Sequence, residues 1–163
     1  MLLIGFMGAG KSTVGRLVAT RLAWEFIDLD EEIERAAGCS VVALFEREGE
    51  AGFRARESEA TAALRGRSRI VVATGGGWMA NGRIADVDRA GRTIWLGVSA
   101  AEAMRRAAAT PGNRPLFGRT LDDVSALLAA RSAQYAEADL KIETDSRDPE
   151  AIAAEIIEVL KAN

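Results

Sequence analysis

Short apolar runs alternate along the chain with longer stretches in which apolar residues recur at helical spacing. The runs that predict strands lie at residues 2–4, 25–27, 70–73, 93–96 and 140–142. Between the first two runs, one helical face collects Val14, Leu17, Val18 and Leu22. Further helices are predicted after Ser40, over residues 52–64, 100–108 and 121–136, and from Asp148 onward. This alternation predicts an α/β fold of three layers, a five-stranded parallel sheet with helices on both faces.

The residues after the first strand carry the clearest chemical motif. Ligands of parallel sheets bind beyond the carboxyl ends of the strands. There, Gly5-Phe6-Met7-Gly8-Ala9-Gly10-Lys11-Ser12 matches the phosphate-loop pattern G-x-x-x-x-G-K-[ST] over residues 5–12. We expect Lys11 to reach the β- and γ-phosphates and Ser12 to bind Mg²⁺. The motif therefore predicts a nucleoside triphosphate site, whose contacts come from Gly8, Ala9, Gly10, Lys11, Ser12 and Thr13.

Two aspartates follow the second strand, in the segment Phe26-Ile27-Asp28-Leu29-Asp30. If this segment is extended, Asp28 and Asp30 project to the same side of the chain. One carboxylate could then hold a magnesium-bound water while the other faces the group that accepts the phosphate. An acidic helix start that continues into Glu31 and Glu32 explains the same residues equally well.

Three glycines, Gly75-Gly76-Gly77, follow the third strand. A turn rarely needs three, whereas a ligand that approaches the backbone closely does. Arginines stand near other predicted element ends, at Arg54, Arg114 and Arg131. Arg54 could alternatively form a helix-surface ion pair with Glu57 or Glu50, and Arg131 could be an ordinary solvated helix position.

Composition narrows the class of protein. The 163 residues correspond to about one domain. With 21 basic and 24 acidic residues the net charge is −3, which argues against a nucleic-acid partner. The chain has no histidine, which excludes His-based triads and His zinc sites, and the single cysteine, Cys39, excludes a disulfide framework. No apolar run approaches the ~20 residues of a membrane helix, so we expect a cytoplasmic protein with no membrane partner, and a monomer by default.

Six segments, taken together, closely resemble the shikimate kinases. They are residues 5–13, Asp28-Leu29-Asp30, Phe53-Arg54, Gly75-Gly76-Gly77, Arg114-Pro115-Leu116, and Arg131 with Tyr135 four residues later. Each is weak evidence alone, but their order and spacing match that family over nearly the whole chain. The resemblance implies a P-loop fold like that of the nucleoside monophosphate kinases, in one domain over residues 1–163. Within it, the substrate-binding region is expected at about 29–58 and a lid at about 107–119.

The implied reaction is phosphoryl transfer from ATP, with Mg²⁺, to the 3-hydroxyl of shikimate, a step toward the aromatic amino acids. The resemblance places Lys11, Asp30 and Arg114 in catalysis and assigns Mg²⁺ to Ser12 and Asp28. Arg114 would close over the γ-phosphate from the lid and stabilise the charge that develops there. On the nucleotide side, Arg106 and Pro149 fall near the adenine position of the family.

The acceptor side is assigned by the same resemblance. Arg54 and Arg131 would bind the substrate carboxylate, because planar guanidinium groups match its two oxygens. Asp30 would accept hydrogen bonds from ring hydroxyls, and the amides of Gly76 and Gly77 would add neutral contacts. Glu57 would orient Arg54.

Two other functions share part of this pattern. A gluconate-type or nucleoside monophosphate kinase has the phosphate loop and fold but does not explain the aspartate pair, the triple glycine and the two arginines. A ligand-sensing domain of a transcription regulator has the fold but does not need Lys11, Asp28, Asp30 and Arg114. Trp78 is expected to pack under the lid rather than to alter specificity. Trp24 and Tyr135 are expected to be core or half-buried aromatics.

Overall fold

The computed structural model describes residues 1–81, 91–109 and 119–162. The strands are β1 Leu2–Ile4, β2 Glu25–Asp28, β3 Ile70–Ala73, β4 Thr93–Gly97 and β5 Leu140–Glu143. The helices are α1 Lys11–Leu22, α2 Leu29–Ala37, α3 Val41–Ala62, α4 Ala100–Ala109, α5 Leu121–Tyr135 and α6 Pro149–Lys161, with a 3₁₀ turn at Trp78–Asn81. The predicted alternation of strands and helices is confirmed.

The five strands form one parallel sheet in the order β2-β3-β1-β4-β5. From β1 the chain crosses through α1 to the β2 edge, and it then returns through β3 toward β5. Because parallel crossovers are right-handed, connections running in opposite directions lie on opposite faces. Helices therefore cover both faces, with α6 packed on α1 and α4 packed on α5. The predicted fold class is confirmed.

The centre of the sheet is the core of the molecule. Side chains of the central strands such as Leu3, Ile4, Val71 and Leu96 are fully buried. Both sides of these strands are covered, which explains why their sequences are continuously apolar rather than alternating. Within residues 1–81, 91–109 and 119–162, every helix is too short or too polar to span a bilayer.

The structure decides one alternative that the sequence left open and joins two helices that were predicted separately. The extended conformation ends at Asp28, which caps α2 by accepting the Asp30 amide at 3.1 Å, so Asp30 lies on the helix and not on an extended segment. The two helices predicted after Ser40 and over residues 52–64 are joined into α3. Inside α3, Gly49 has non-helical angles (φ 69°, ψ −176°). The helix is therefore kinked between the two segments that were predicted as separate helices.

Candidate active site

Three neighbouring strands bring the predicted segments to one edge of the sheet. The order β2-β3-β1 sets Asp28, the triple glycine and the phosphate loop side by side, because each follows the carboxyl end of its strand. They line a cavity of about 1230 Å³. Its walls include Lys11, Asp28, Asp30, Arg54, Gly76 and Arg131. This is the crevice at which open α/β sheets bind ligands, beside β1, whose connection runs toward β2 while those of its neighbours β3 and β4 run in the opposite direction.

Glycine is required in the phosphate loop by its backbone angles and its contacts. Gly8 and Gly10 have φ of 78° and 89°, in the left-handed region. A Cβ at Gly5 would lie 2.5 Å from the carbonyl oxygen of Leu96. The loop can therefore curl tightly against β4 and lead directly into α1.

Lys11 is buried at the base of this loop. Its Nζ donates to the carbonyl oxygens of Gly5 and Phe6, each at 2.9 Å. Burial lowers the pKa of Lys11 to about 8, although the nearby carboxylates of Asp30 and Asp28 favour its charged form. The Lys11 ammonium is thus hydrogen-bonded within the phosphate loop and lies near the carboxylates of Asp30 and Asp28.

Ser12 and Asp28 form the pair of groups that suits a magnesium ion. The Ser12 hydroxyl donates to Asp28 Oδ2 at 2.6 Å, while Asp28 Oδ1 caps α2. The capping interpretation of Asp28 is therefore confirmed, and its other oxygen lies beside Ser12 at the cavity. Mg²⁺ is held in such sites by one or two carboxylates and by substrate phosphates, with water completing its shell. The described part of the chain has no cluster of three or more acidic, His or Cys ligands. The oxygens of Ser12 and Asp28 therefore fit only a site in which phosphates and water complete the magnesium shell.

Asp30 also lines the cavity, at a place that disfavours the charged form of its carboxyl group. Burial, together with the neighbouring acids Asp28 and Glu57, raises its pKa to about 6. Its Oδ1 is buried and accepts no hydrogen bond from the described residues. An acid that ionises near neutral pH and has an unused acceptor atom is suited to take a hydrogen bond from a hydroxyl group.

Arg54 is held by two acids of its own helix. Its Nη1 donates to Glu57 at 2.5 Å and its Nη2 to Glu50 at 3.3 Å. The Glu57 side chain is fully buried, whereas Glu50 is 71% exposed, so Glu57 is the partner that fixes the guanidinium. The ion-pair interpretation of Arg54 is therefore right, and the same side chain also lines the cavity.

The triple glycine leaves room for these side chains. A Cβ at Gly75 would lie 2.9 Å from Asp30 Oδ1 and 3.0 Å from Glu57 Oε1, and one at Gly77 would lie 2.5 Å from Arg54 Nη2. At Gly76 the added Cβ would lie 3.0 Å from the Met7 amide nitrogen of the phosphate loop. A side chain on this turn would therefore displace the Asp30 and Glu57 carboxylates or the Arg54 guanidinium, or press on the backbone of the phosphate loop.

Helix α5 contacts this turn through two residues. Arg131 Nη1 donates to the Gly76 carbonyl oxygen at 3.0 Å, and the Tyr135 phenol donates to the same oxygen at 2.5 Å. Arg131 also lies over the ring of Phe6, 5.7 Å from its centroid. Tyr135 is buried, as predicted for a core aromatic, but sequence reasoning missed its contact with Gly76. The spacing of Arg131 and Tyr135, one helical turn apart, was the available signal.

Three residues outside the phosphate loop were expected near the nucleotide, and each has a different outcome. Arg106 Nη1 donates to the carbonyl of Gly8 at 3.0 Å and Nη2 to that of Thr144 at 2.6 Å, so it joins the phosphate loop to the end of β5. Pro149 is the first residue of α6 and is not among the residues that line the cavity. Arg114 lies outside the described residues.

Trp78 closes the far side of the triple glycine. Its indole is fully buried, and Nε1 donates to Thr61 Oγ1 of α3 at 3.0 Å. Trp78 therefore anchors the turn to the helix that carries Arg54 and Glu57. Most of the lid segment, and with it the predicted packing of Trp78 under the lid, lies outside the described residues.

Comparison with known proteins gives one consistent answer. A model of the family described as shikimate kinase matches residues 7–161. The chain is 44% identical over 163 residues to a shikimate kinase of Moorella thermoacetica, covering 99% of this chain and 94% of that protein. A shikimate kinase of Pseudomonas savastanoi is 44% identical over 162 residues, which cover 96% of this chain and 93% of the relative.

Solved structures agree with the sequence relatives. Shikimate kinase from Acinetobacter baumannii in complex with shikimate superposes with a TM-score of 0.91 at 36% identity, covering 99% of this chain and 92% of that one. Shikimate kinase from Aquifex aeolicus superposes with a TM-score of 0.83 at 34% identity, over 99% and 96% of the two chains. The match extends over the whole sheet and the cavity at its edge, and the chain therefore belongs to the shikimate kinase family.

Proposed function

We propose that this chain transfers the γ-phosphoryl group of ATP to the 3-hydroxyl of shikimate by means of the residues around the cavity. As a member of its family the chain is a kinase that uses ATP and Mg²⁺. One observation carries the assignment of residues. A single cavity has a phosphate loop on one wall and two arginines beside an acid with a raised pKa on the other.

The phosphate loop is the donor half of the site. Its backbone N–H groups and the N-terminus of α1 bind the phosphates of ATP, and Lys11 exchanges its two carbonyl contacts for phosphate oxygens. Ser12 and Asp28 would hold Mg²⁺, which would neutralise charge on the β- and γ-phosphates. The loop thus stabilises negative charge where it develops during transfer.

The acceptor half positions a small hydroxylated carboxylate. Arg54, fixed by Glu57, and Arg131 bind the carboxylate group, and the amides of Gly76 and Gly77 add neutral contacts. Asp30 accepts a hydrogen bond from the 3-hydroxyl and takes its proton as that oxygen bonds to the γ-phosphorus. The bond from the γ-phosphorus to the bridging oxygen breaks in the same step, and ADP leaves with that oxygen. Most of the rate acceleration then comes from positioning and electrostatics, because the loose phosphoryl-transfer transition state needs little help from a base.

The proposal extends to the organisation of the molecule. We propose that residues 1–163 form one domain in which about 29–58 bind substrate and Pro149 lies beside the adenine. The lid expected at about 107–119, with Arg114 for the γ-phosphate, lies mostly outside the described residues. We propose a cytoplasmic monomer whose partners are ATP and shikimate, with no nucleic acid and no membrane. Analytical ultracentrifugation tests the monomer, and fractionation of the producing cells tests the location.

A coupled assay of ADP release tests the reaction. With ATP, Mg²⁺ and shikimate we expect steady turnover, and with shikimate omitted we expect almost none. EDTA in excess of Mg²⁺ should stop the reaction. Gluconate and nucleoside monophosphates serve as alternative acceptors, and preferential turnover of either would contradict the proposal. Binding of shikimate without any ADP release would instead favour a ligand-sensing domain.

A further inference from the structure

Tyr135 makes an unusually constrained contact at the end of α5. Its side chain is 1% exposed, its ring packs against Trp95 with centroids 5.7 Å apart, and its phenol donates to the Gly76 carbonyl at 2.5 Å. Arg131 donates to the same oxygen from one turn earlier. The Gly76 carbonyl oxygen can thus accept two hydrogen bonds, one from the phenol of the rigid, buried Tyr135 and one from the longer side chain of Arg131.

The direction of this carbonyl determines the direction of the next amide. In a planar trans peptide the C=O of one residue and the N–H of the next point in opposite directions, and the described peptides contain no cis bond. The Gly77 N–H therefore points away from the two α5 donors. Glycine has no Cβ to restrict its rotation, so this orientation needs an external restraint.

The orientation of the Gly77 N–H matters because Gly77 faces the cavity. It lines the cavity next to Arg54, and neither its amide nor that of Gly76 donates a hydrogen bond within the described residues. Tyr135 itself is not among the residues that line the cavity, so it does not reach a ligand there.

We propose that Tyr135 is a positioning residue for the acceptor. Through the Gly76 carbonyl its phenol fixes the peptide plane that presents the Gly77 amide to shikimate. This inference rests on the proposed function, because it assumes that shikimate binds in the half of the cavity formed by Arg54, Arg131 and the triple glycine. Trp78 holds the other end of the same turn against α3, so the turn is restrained from both sides.

The test replaces Tyr135 with Phe, which removes one hydroxyl and leaves the ring packing. The matched control is Ser132→Ala on the same helix, where the lost hydroxyl donates only to Leu128 within the described residues. For Tyr135→Phe we expect the KM for shikimate to rise about three- to tenfold, the scale of one hydrogen bond, with the KM for ATP unchanged. Isothermal titration with shikimate alone should show the same loss of affinity, and thermal melts show whether each variant is folded.

The outcomes separate the possibilities. A folded Tyr135→Phe enzyme with unchanged KM for both substrates, or with a parallel rise for ATP, overturns the inference and leaves the tyrosine a core residue. A rise for shikimate in Ser132→Ala of the same size also overturns it, since the effect would then belong to α5 in general. A parent enzyme without shikimate-dependent turnover overturns the proposed function, and this inference with it.

Discussion

The carboxyl group of Asp30 is held where burial and two neighbouring acids oppose its ionisation. In the folded chain its pKa is raised from 3.8 to about 6, so its ionised form destabilises the fold. This destabilisation begins above the unfolded pKa, is complete above the folded one, and is absent at low pH. The residue thus opposes stability in the pH range in which the proposed reaction uses its charge.

Replacing Asp30 with Asn should therefore stabilise the protein and inactivate it. At pH 7.5 we expect the free energy of unfolding to rise by about 1–3 kcal/mol, from a shift of about two pKa units. We expect kcat to fall by about a hundredfold or more, because Asn lacks the charge that positions the hydroxyl and also cannot take its proton. Urea unfolding at pH 7.5 and pH 4 checks the sign, since most of the gain should be lost at pH 4. Glu32→Gln, in the same first turn but outside the cavity, should change neither quantity.

Arg54 supports a second prediction, which concerns geometry rather than charge. In Arg54→Lys the positive charge remains, but a lysine cannot make two parallel contacts to a carboxylate. We expect the KM for shikimate to rise about 10- to 100-fold, while the KM for ATP stays nearly the same. Arg56→Lys is the matched control, since Arg56 pairs with Glu48 outside the cavity. Equal damage to ATP binding would show that the acceptor site is misplaced.

At the scale of elements, the kink in α3 separates two parts of the cavity wall. Residues 41–48 precede Gly49, and residues 50–62 carry Arg54 and Glu57. Across the kink the rings of Phe45 and Phe53 pack with centroids 4.6 Å apart. Gly49 lies in a region of φ and ψ that is essentially restricted to glycine. The helix can therefore fold back on itself here without any special side-chain contact.

Gly49→Ala should test this kink through conformational strain alone. A Cβ at this position would meet no atom within 4 Å, so no clash contributes. We expect a loss of about 1–3 kcal/mol in unfolding free energy, measured by urea denaturation. Ala51→Ser, an exposed helical neighbour, should cost less than about 1 kcal/mol. A more stable Gly49→Ala would mean that α3 tolerates straightening there.

The elements were largely predictable because their signals are local. Apolar runs and caps such as Ser40 and Asp148 lie within a few residues of the elements they start. For Asp30 the sequence left an extended segment and an acidic helix start equally open, because the cap by Asp28 competes with the strand pattern, and the structure has the helix start. The triple glycine was interpreted as a place where a ligand approaches the backbone. Because these residues have no side chains, they also leave space for the side chains of Asp30, Glu57 and Arg54.

At the scale of the whole molecule, the site depends on contacts that local patterns do not record. Tyr135 and Gly76 are 59 residues apart, and Arg106 and Gly8 are 98 apart. Such partners follow from the strand order, in which β1 lies between β3 and β4, and periodicity contains no information on that order. Local motifs pointed to residues that line the cavity, such as Lys11 and Arg54, whereas the long-range contacts of Tyr135 and Arg106 were not predictable from them.

The two halves of the cavity should together set the pH dependence of the enzyme. Asp30 must be ionised and Lys11 charged, and their pKa values are about 6 and about 8. We therefore expect kcat/KM to rise with pH up to about 6, where Asp30 loses its proton, and to fall above about 8, where Lys11 does. Initial rates between pH 5 and 9 at limiting substrate measure this profile. A flat profile would mean that these groups do not control the free enzyme.

The bonds from Lys11 to the carbonyls of Gly5 and Phe6 have a kinetic consequence. These two carbonyls satisfy the ammonium within the chain, so bonds of the loop itself hold its curled shape. An arriving polyphosphate only swaps one set of oxygen partners for another. Capture should accordingly be rapid and nearly free of an ordering penalty, with discrimination left to how quickly each nucleotide departs.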